Sequence, residues 1–292
     1  MKINNSCCYL FFVAFTLTGF MACNKKNMVS NNGSLTAQTI KNVSYGNDPL
    51  QKMDVYLPAG RNTLHTKALI LIHGGAWTSG DKADFDTAIQ TLQNSLPNFA
   101  LCNINYRLAT IQGANVWPAQ LSDINSAFQF IQQQQAKYII NAGKSAVFGA
   151  RAGAQLALLL GYTHPNKIKA VVDLFDLTDL AALYYNAPNP TYPALISIFM
   201  SGTPATNIPG HISSNPLYLV ITANLPSTII FHGTADDVIP ISQSDSLNNR
   251  LIQYNITHQY NQYAGAGHGW TGVNLIDTYN KSIQFLQQIM PD

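Results

Sequence analysis

The sequence predicts an α/β fold with a mostly parallel central sheet and helices on both faces. Three observations carry that expectation. Short β-rich runs alternate with amphipathic stretches along most of the chain, the pattern of strand–helix–strand units joined by right-handed crossovers. Most of the β-rich runs are continuous Val, Ile, Leu and Phe rather than alternating, as strands buried on both faces require. The chain has 292 residues, 47% hydrophobic and 10% charged, enough apolar material for one large domain around a buried sheet. A formal net charge of +2, with no basic run interleaved with aromatics, excludes the nucleic-acid-binding classes.

The segments follow in chain order. Lys2 precedes an apolar run from Cys7 to Ala22 that ends in small residues. Residues 1–22 read as an export signal, with an uncleaved anchor helix as the alternative. The stretch Phe20-Met21-Ala22-Cys23-Asn24 resembles a bacterial lipoprotein cleavage site, although Phe20 stands where a leucine is usual. That resemblance implies acylation of Cys23, a membrane link through that anchor alone, and a cell-envelope location (periplasm or outer membrane) or secretion. Residues 23–38 are polar and aperiodic, which suits a tether, and the domain occupies residues 39–292. Cys7 and Cys8 fall in the signal, so Cys102 is the one thiol left for the domain once Cys23 is set aside. It cannot form an internal disulfide and reads as a small buried hydrophobe.

Strands are expected over residues 52–57, 68–73, 99–105, 146–149, 170–174 and 228–232. Helices are expected over 82–96, 118–138, 152–162, 241–254 and 273–289. In the second helix Leu121, Ile124, Phe128 and Ile131 recur at three- and four-residue spacing and mark one apolar face. Residues 177–222 break the rhythm, with several prolines, Tyr184, Tyr185, Tyr192, Phe199 and no clean period. They read either as a lid over a pocket or as a long irregular crossover.

Four motifs stand out in an arrangement that suits the carboxyl ends of strands, where open α/β sheets gather their function. After the first strand of the set comes His73-Gly74-Gly75-Ala76-Trp77, whose glycines free backbone N–H groups to face a ligand. Next is Gly149-Ala150-Arg151-Ala152-Gly153, between a strand and a helix, with small residues where a sharp reversal needs them. The third is His232-Gly233-Thr234-Ala235-Asp236-Asp237-Val238-Ile239-Pro240. The fourth is Gly265-Ala266-Gly267-His268-Gly269-Trp270. Seven scattered histidines without an H-x-x-x-H pair or a Cys/His cluster argue against a metal site. No dinucleotide fingerprint is present, so no cofactor is expected.

Taken in order, these motifs resemble the α/β-hydrolases, specifically the esterase/lipase branch that includes hormone-sensitive-lipase-like and feruloyl-esterase-like carboxylesterases. The first is similar to the H-G-G-G and H-G-G-x-W oxyanion motif, the second to the nucleophile elbow G-x-S-x-G, and the third to the H-G-x-x-D-x-x-V/I-P acid loop. Tyr45-Gly46, Met53 to Pro58, Asn105-Tyr106-Arg107-Leu108, Pro118 to Leu121 with Asp123, and Val172-Asp173-Leu174-Phe175 extend the likeness to roughly residues 39–290. The resemblance implies the α/β-hydrolase fold and a small-molecule ester or ester-bearing saccharide as partner. It implies oxyanion donors at Gly75, Ala76 and Ala152, Asp236 as the acid and His268 as the base. Asp237 is the local competitor for the acid, its other role being to cap the next helix. Trp77 and Trp270 are the candidate substrate-binding residues, while His73 organises the turn. An Arg107–Asp123 ion pair is expected to be structural.

The departure is at the elbow's centre, where Arg151 occupies the serine position. A guanidinium stays charged, with a pKa above about 12, and no histidine can make a nucleophile of it. Three accounts remain open: a pseudoenzyme that keeps the pocket as a binder, with an anionic ligand as one occupant; a recent or artefactual lesion; and residual hydrolysis by water activated at His268. A salt bridge between Arg151 and Asp236 is also expected, direct or through water.

Overall fold

The computed structural model describes residues 35–292. The export signal, Cys23 and residues 24–34 of the tether lie outside the described residues. The strands are β1 (Gln38–Ser44), β2 (Lys52–Leu57), β3 (Lys67–Ile72), β4 (Phe99–Ile104), β5 (Ser145–Ala150), β6 (Ile168–Leu174), β7 (Ser227–Gly233) and β8 (His258–Tyr263). They form one sheet in the order β1-β2-β4-β3-β5-β6-β7-β8. Strands β1, β2 and β4 pair antiparallel at one end, and every pairing from β4 through β8 is parallel.

Side chains alternate along the central strands between two cores. Ile70, Ile72 and Val147 face one core, with Ile124, Phe128, Leu156, Leu160 and Leu247. Leu69, Leu71 and Phe148 face the other, with Ile89, Leu92, Phe285 and Leu286. Helices α2 (Ala119–Gln133), α4 (Ala152–Thr163) and α8 (Ser242–Gln253) therefore cover one face, and α1 (Asp86–Ser95) and α9 (Gly272–Ile289) the other. Because both faces are covered, β3 is buried along its whole length. Helix α4 is apolar all round for the same reason, packed on β5 and β6 with every residue from Ala152 to Tyr162 buried. This parallel stacking puts the ends of β3, β5, β7 and β8 along one edge of the sheet.

Arg107 and Asp123 pair as expected, Nη2 to Oδ1 at 2.6 Å, and Asp123 also accepts the Arg107 backbone N–H at 2.8 Å. Cys102 is fully buried in β4, and burial pushes its thiol up to about 12.

Three expectations are corrected. Strand β1 starts at Gln38, inside the stretch assigned to the tether. Strand β8, His-Gln-Tyr-Asn-Gln-Tyr, was not anticipated; as an edge strand it needs no continuous apolar run. The segment 177–222 is largely helical: α5 (Leu180–Tyr185), α6 (Tyr192–Phe199), α7 (Ile208–Ser213) and a 3-10 turn, Pro216–Leu219. Each piece is too short to display a period. The remaining helix, α3 (Gln135–Tyr138), is a single turn continuing α2.

Candidate active site

The elbow is built by contact. Strand β5 ends at Ala150, α4 begins at Ala152, and Arg151 alone makes the reversal with φ 58° and ψ −126°. A non-glycine residue held there stores about 1–3 kcal/mol of backbone strain, fixed by the packing around it. A side chain on Gly149 would strike the Gly153 carbonyl, and one on Gly153 would strike the carbonyls of Ile72 and His73. Those contacts press the elbow against the end of β3. Ala152 heads α4, and its N–H donates to no acceptor among the described residues, as helix geometry leaves it free to do.

Against the elbow lies the glycine turn after β3. Gly75, Ala76 and Trp77 have φ of 101°, 51° and 62°, and the Gly75 carbonyl accepts the N–H groups of Thr78 and Ser79. The amides of Gly75 and Ala76 have no acceptor among the described residues. His73 is buried against Tyr106, with ring centroids 4.3 Å apart, and its Nδ1 donates to the Gly74 carbonyl at 2.8 Å. Burial holds this imidazole below its ordinary value, consistent with a neutral ring that shapes the turn.

The acid and histidine loops leave β7 and β8 side by side. Gly233 is required here because the Ala266 and Gly267 carbonyls fill the space of a Cβ. Ala235 N–H donates to the Ala266 carbonyl at 2.9 Å, which locks the two loops together. His268 Nδ1 lies 2.9 Å from Asp236 Oδ2. Asp236 Oδ1 accepts the N–H groups of Val238 at 2.9 Å and Ile239 at 2.8 Å. His232 Nε2 approaches Oδ2 at 3.3 Å. Burial alone would raise this carboxyl, but the hydrogen bonds from His232, His268 and Ile239 outweigh it and hold Asp236 well below the usual carboxylate range. Asp237 is exposed and caps nothing; α8 begins without a side-chain cap.

Among the described residues Arg151 makes no direct ion pair with Asp236. The carboxylate is fully buried and already bonded, Oδ1 to two backbone N–H groups and Oδ2 to His268, while His232 Nε2 donates to the Ile239 carbonyl at 2.9 Å. The guanidinium lies over the Phe175 ring instead, 5.6 Å from its centroid, and beside Gly269, where a Cβ would be 3.3 Å from Nη2. It is exposed and has no hydrogen-bond partner among the described residues.

Two cavities meet at this residue. One of about 310 Å³ is lined by Leu177, Leu183, Tyr192, Leu195, Ile196 and Val238 among others. The other, about 780 Å³, is lined by Asp84, Phe85, Phe175, Trp270, Leu275 and Tyr279 among others. Gly75, Ser79, Arg151 and His268 border both. Trp77 borders the smaller cavity, but its indole is 3% exposed, stacks on Phe199 and donates to Gln155 at 3.0 Å. It serves as wall, with no free polar edge for a ligand. Trp270 is half-buried, edge-on to Phe175, with its N–H on Thr278. Helices α5 and α6 supply one side of the smaller cavity.

A family model described as BD-FAE matches residues 53–251 of this chain. The chain belongs to the BD-FAE family. It is similar to the esterase LipC of Mycobacterium tuberculosis, 26% identical over 270 residues covering 85% of this chain. It is also similar to the probable carboxylic ester hydrolase LipM of the same organism, 25% identical over 63% of this chain. It spans 65% of the length of LipC and 44% of that of LipM. Among solved structures, a bifunctional GH43-CE protein of Bacteroides eggerthii superposes with a TM-score of 0.74 at 26% identity, over 86% of this chain and 38% of that one. A truncated carbohydrate esterase from gut microbiota gives 0.73 at 24% identity, over 88% and 98%. The fold of this BD-FAE chain is thus the α/β-hydrolase fold of the esterase/lipase branch.

Sequence reasoning missed what lies behind the acid. His232 Nδ1 is 2.7 Å from Ser244 Oγ, and Ser244 in turn donates to Asp176. Asp176 and Asp173 are fully buried, and three of their four oxygens meet no protein donor. Burial raises both carboxyls, and the neighbouring Asp176 raises Asp173 further. Burial by itself would depress His232, yet Asp236 and Asp176 on either side hold it above its ordinary value. The visible signal was Asp173 inside the apolar run Val171-Val172-Asp173-Leu174.

Proposed function

We propose that this chain is an exported hydrolase-fold protein of carboxylic-ester type whose turnover is weak or absent because Arg151 holds the nucleophile position. The single observation that carries this reading is the convergence of a hydrogen-bonded Asp236–His268 pair, three unclaimed amides and an elbow backbone on one residue that cannot be a nucleophile. In this reading Asp236 orients His268 through its Nδ1–H, leaving Nε2 as the base. Gly75, Ala76 and Ala152 offer N–H groups to a developing oxyanion. Loss of a nucleophile costs about a millionfold in turnover in a serine protease where it has been dissected. The substrate class is a small ester or an ester borne on a saccharide, and α5 and α6 act as a lid over the acyl side. Export and anchoring at Cys23 rest on residues 7–23 of the sequence.

A second reading, a pseudo-esterase that binds a ligand without turnover, is favoured by one specific observation: Arg151 is uncommitted and borders two open cavities. One assay separates the readings. Hydrolysis of a short-chain p-nitrophenyl ester is expected near background in the wild type and clearly above it in Arg151→Ser. Wild-type turnover that survives both His268→Ala and Asp236→Ala overturns the site assignment.

A further inference from the structure

Arg151 is the only lysine or arginine among the residues bordering either cavity, and it is unpaired among the described residues. The acid that would have neutralised it, Asp236, is fully buried and already bonded to His268 and to the N–H groups of Val238 and Ile239. Among the described residues the only carboxylate bordering the cavities is Asp84, on the larger one. A fixed cation at a cavity mouth attracts a counter-charge, and a guanidinium presents paired N–H donors that match a carboxylate. The smaller cavity carries no charged residue except Arg151, and its wall is dominated by Leu177, Leu183, Leu195, Ile196, Val238 and Ile239.

These observations select among ligand chemistries. An inorganic anion would satisfy the cation and leave the aliphatic cavity unfilled. A neutral ester would fill the cavity and leave a guanidinium partly desolvated without a counter-charge, which is unfavourable. A dicarboxylate would bring a second charge into a space with no second cation. We propose that the site binds a monocarboxylate with an apolar tail, its head on Arg151 at the junction of the cavities and its tail in the smaller one. The carboxylate takes its donors from the guanidinium and from the unclaimed amides of Gly75, Ala76 and Ala152. The ligand is then the acid half of an ester, held and not turned over. This inference rests on the reading of the site as a retained esterase cavity.

The test is isothermal titration of the wild-type domain with octanoate, octanol, methyl octanoate and acetate. Octanoate is expected to bind at least about tenfold more tightly than the other three, because only it supplies both head and tail. Arg151→Met, which keeps bulk and removes charge, is expected to lose at least about tenfold of that affinity; Arg151→Lys keeps part of it. Added salt should weaken octanoate and leave octanol unchanged. Equal binding of octanol, unchanged octanoate affinity in a folded Arg151→Met, or no octanoate binding at millimolar concentration overturns the proposal. The two readings fail separately. If Arg151→Ser hydrolyses esters but the wild type ignores octanoate, the dormant esterase stands and the carboxylate site falls. If the wild type binds octanoate and Arg151→Ser hydrolyses nothing, the carboxylate site stands alone.

Discussion

On the acid side of the site, Asp236 is gripped by two imidazoles and two backbone N–H groups, with a further buried relay through His232, Ser244 and Asp176 behind it. On the nucleophile side, Arg151 is held in a strained backbone conformation by its neighbours' carbonyls, and its own side chain makes no hydrogen bond among the described residues. The acid half is over-determined by side-chain partners, whereas the nucleophile half is determined by backbone packing alone. That difference explains why an arginine can occupy the elbow without disturbing the rest. It also explains why the guanidinium makes no direct pair with the acid: Asp236 is buried and already bonded to His268 and two backbone N–H groups.

The comparison can be broken most severely at the packing that makes the elbow. Gly153→Val places a side chain against the Ile72 and His73 carbonyls and should cost about 4 kcal/mol, read from the urea midpoint. A loss below about 1 kcal/mol would mean that the elbow is not held by that contact. Asp236→Ala strands the buried His232, the partly buried His268 and two N–H groups and should cost about 3 kcal/mol, again by denaturant titration. The same truncation at Arg151 should be near neutral, which sharpens the contrast between the halves.

The buried carboxyl pair gives a pH signature. Asp236 is depressed, so its contribution is present above the ordinary carboxylate range and is lost as pH falls through its lowered value. His232 is raised, so its contribution is full below the ordinary histidine range and is lost as pH rises through its elevated value. Asp173 and Asp176 are raised carboxyls, so the stability they confer when protonated drains away as pH climbs above the ordinary carboxylate range. Asp173→Asn removes that drain and can donate to Asp176. It should stabilise the domain by about 1 kcal/mol at neutral pH and by less near pH 4, measured by thermal melts across pH. The smallest effect is expected at the elbow itself: Arg151→Gly relieves a φ of 58° and should gain up to about 1 kcal/mol, while Arg151→Ser should gain nothing because it keeps a Cβ.

Much of this site could be read in the sequence because its signals are local. The glycines of the loops, the strand runs before the first three motifs and the order of all four point to Gly75, Arg151, Asp236 and His268 from the sequence alone. Strands with two buried faces announce themselves as apolar runs, as β3 and β4 do. What stayed hidden depends on contacts distant in sequence. Strand β8 is polar because it sits at the edge, and α5 to α7 are too short to show a period. The pairing of His232 with Ser244 and Asp176 joins three separate segments, and no spacing rule reveals it. A direct Arg151–Asp236 ion pair is absent for a related reason: charge complementarity is visible in the sequence, but the burial of Asp236 and its bonds to His268, Val238 and Ile239 are not.

The central claim is that everything but the nucleophile is in place, and covalent labelling tests it most directly. Intact-mass spectrometry after exposure to a fluorophosphonate should show no adduct on the wild type. It should show one stoichiometric adduct on Arg151→Ser, lost again when His268→Ala is added. A folded Arg151→Ser that stays unlabelled, or a wild type labelled at the same rate, would contradict the account.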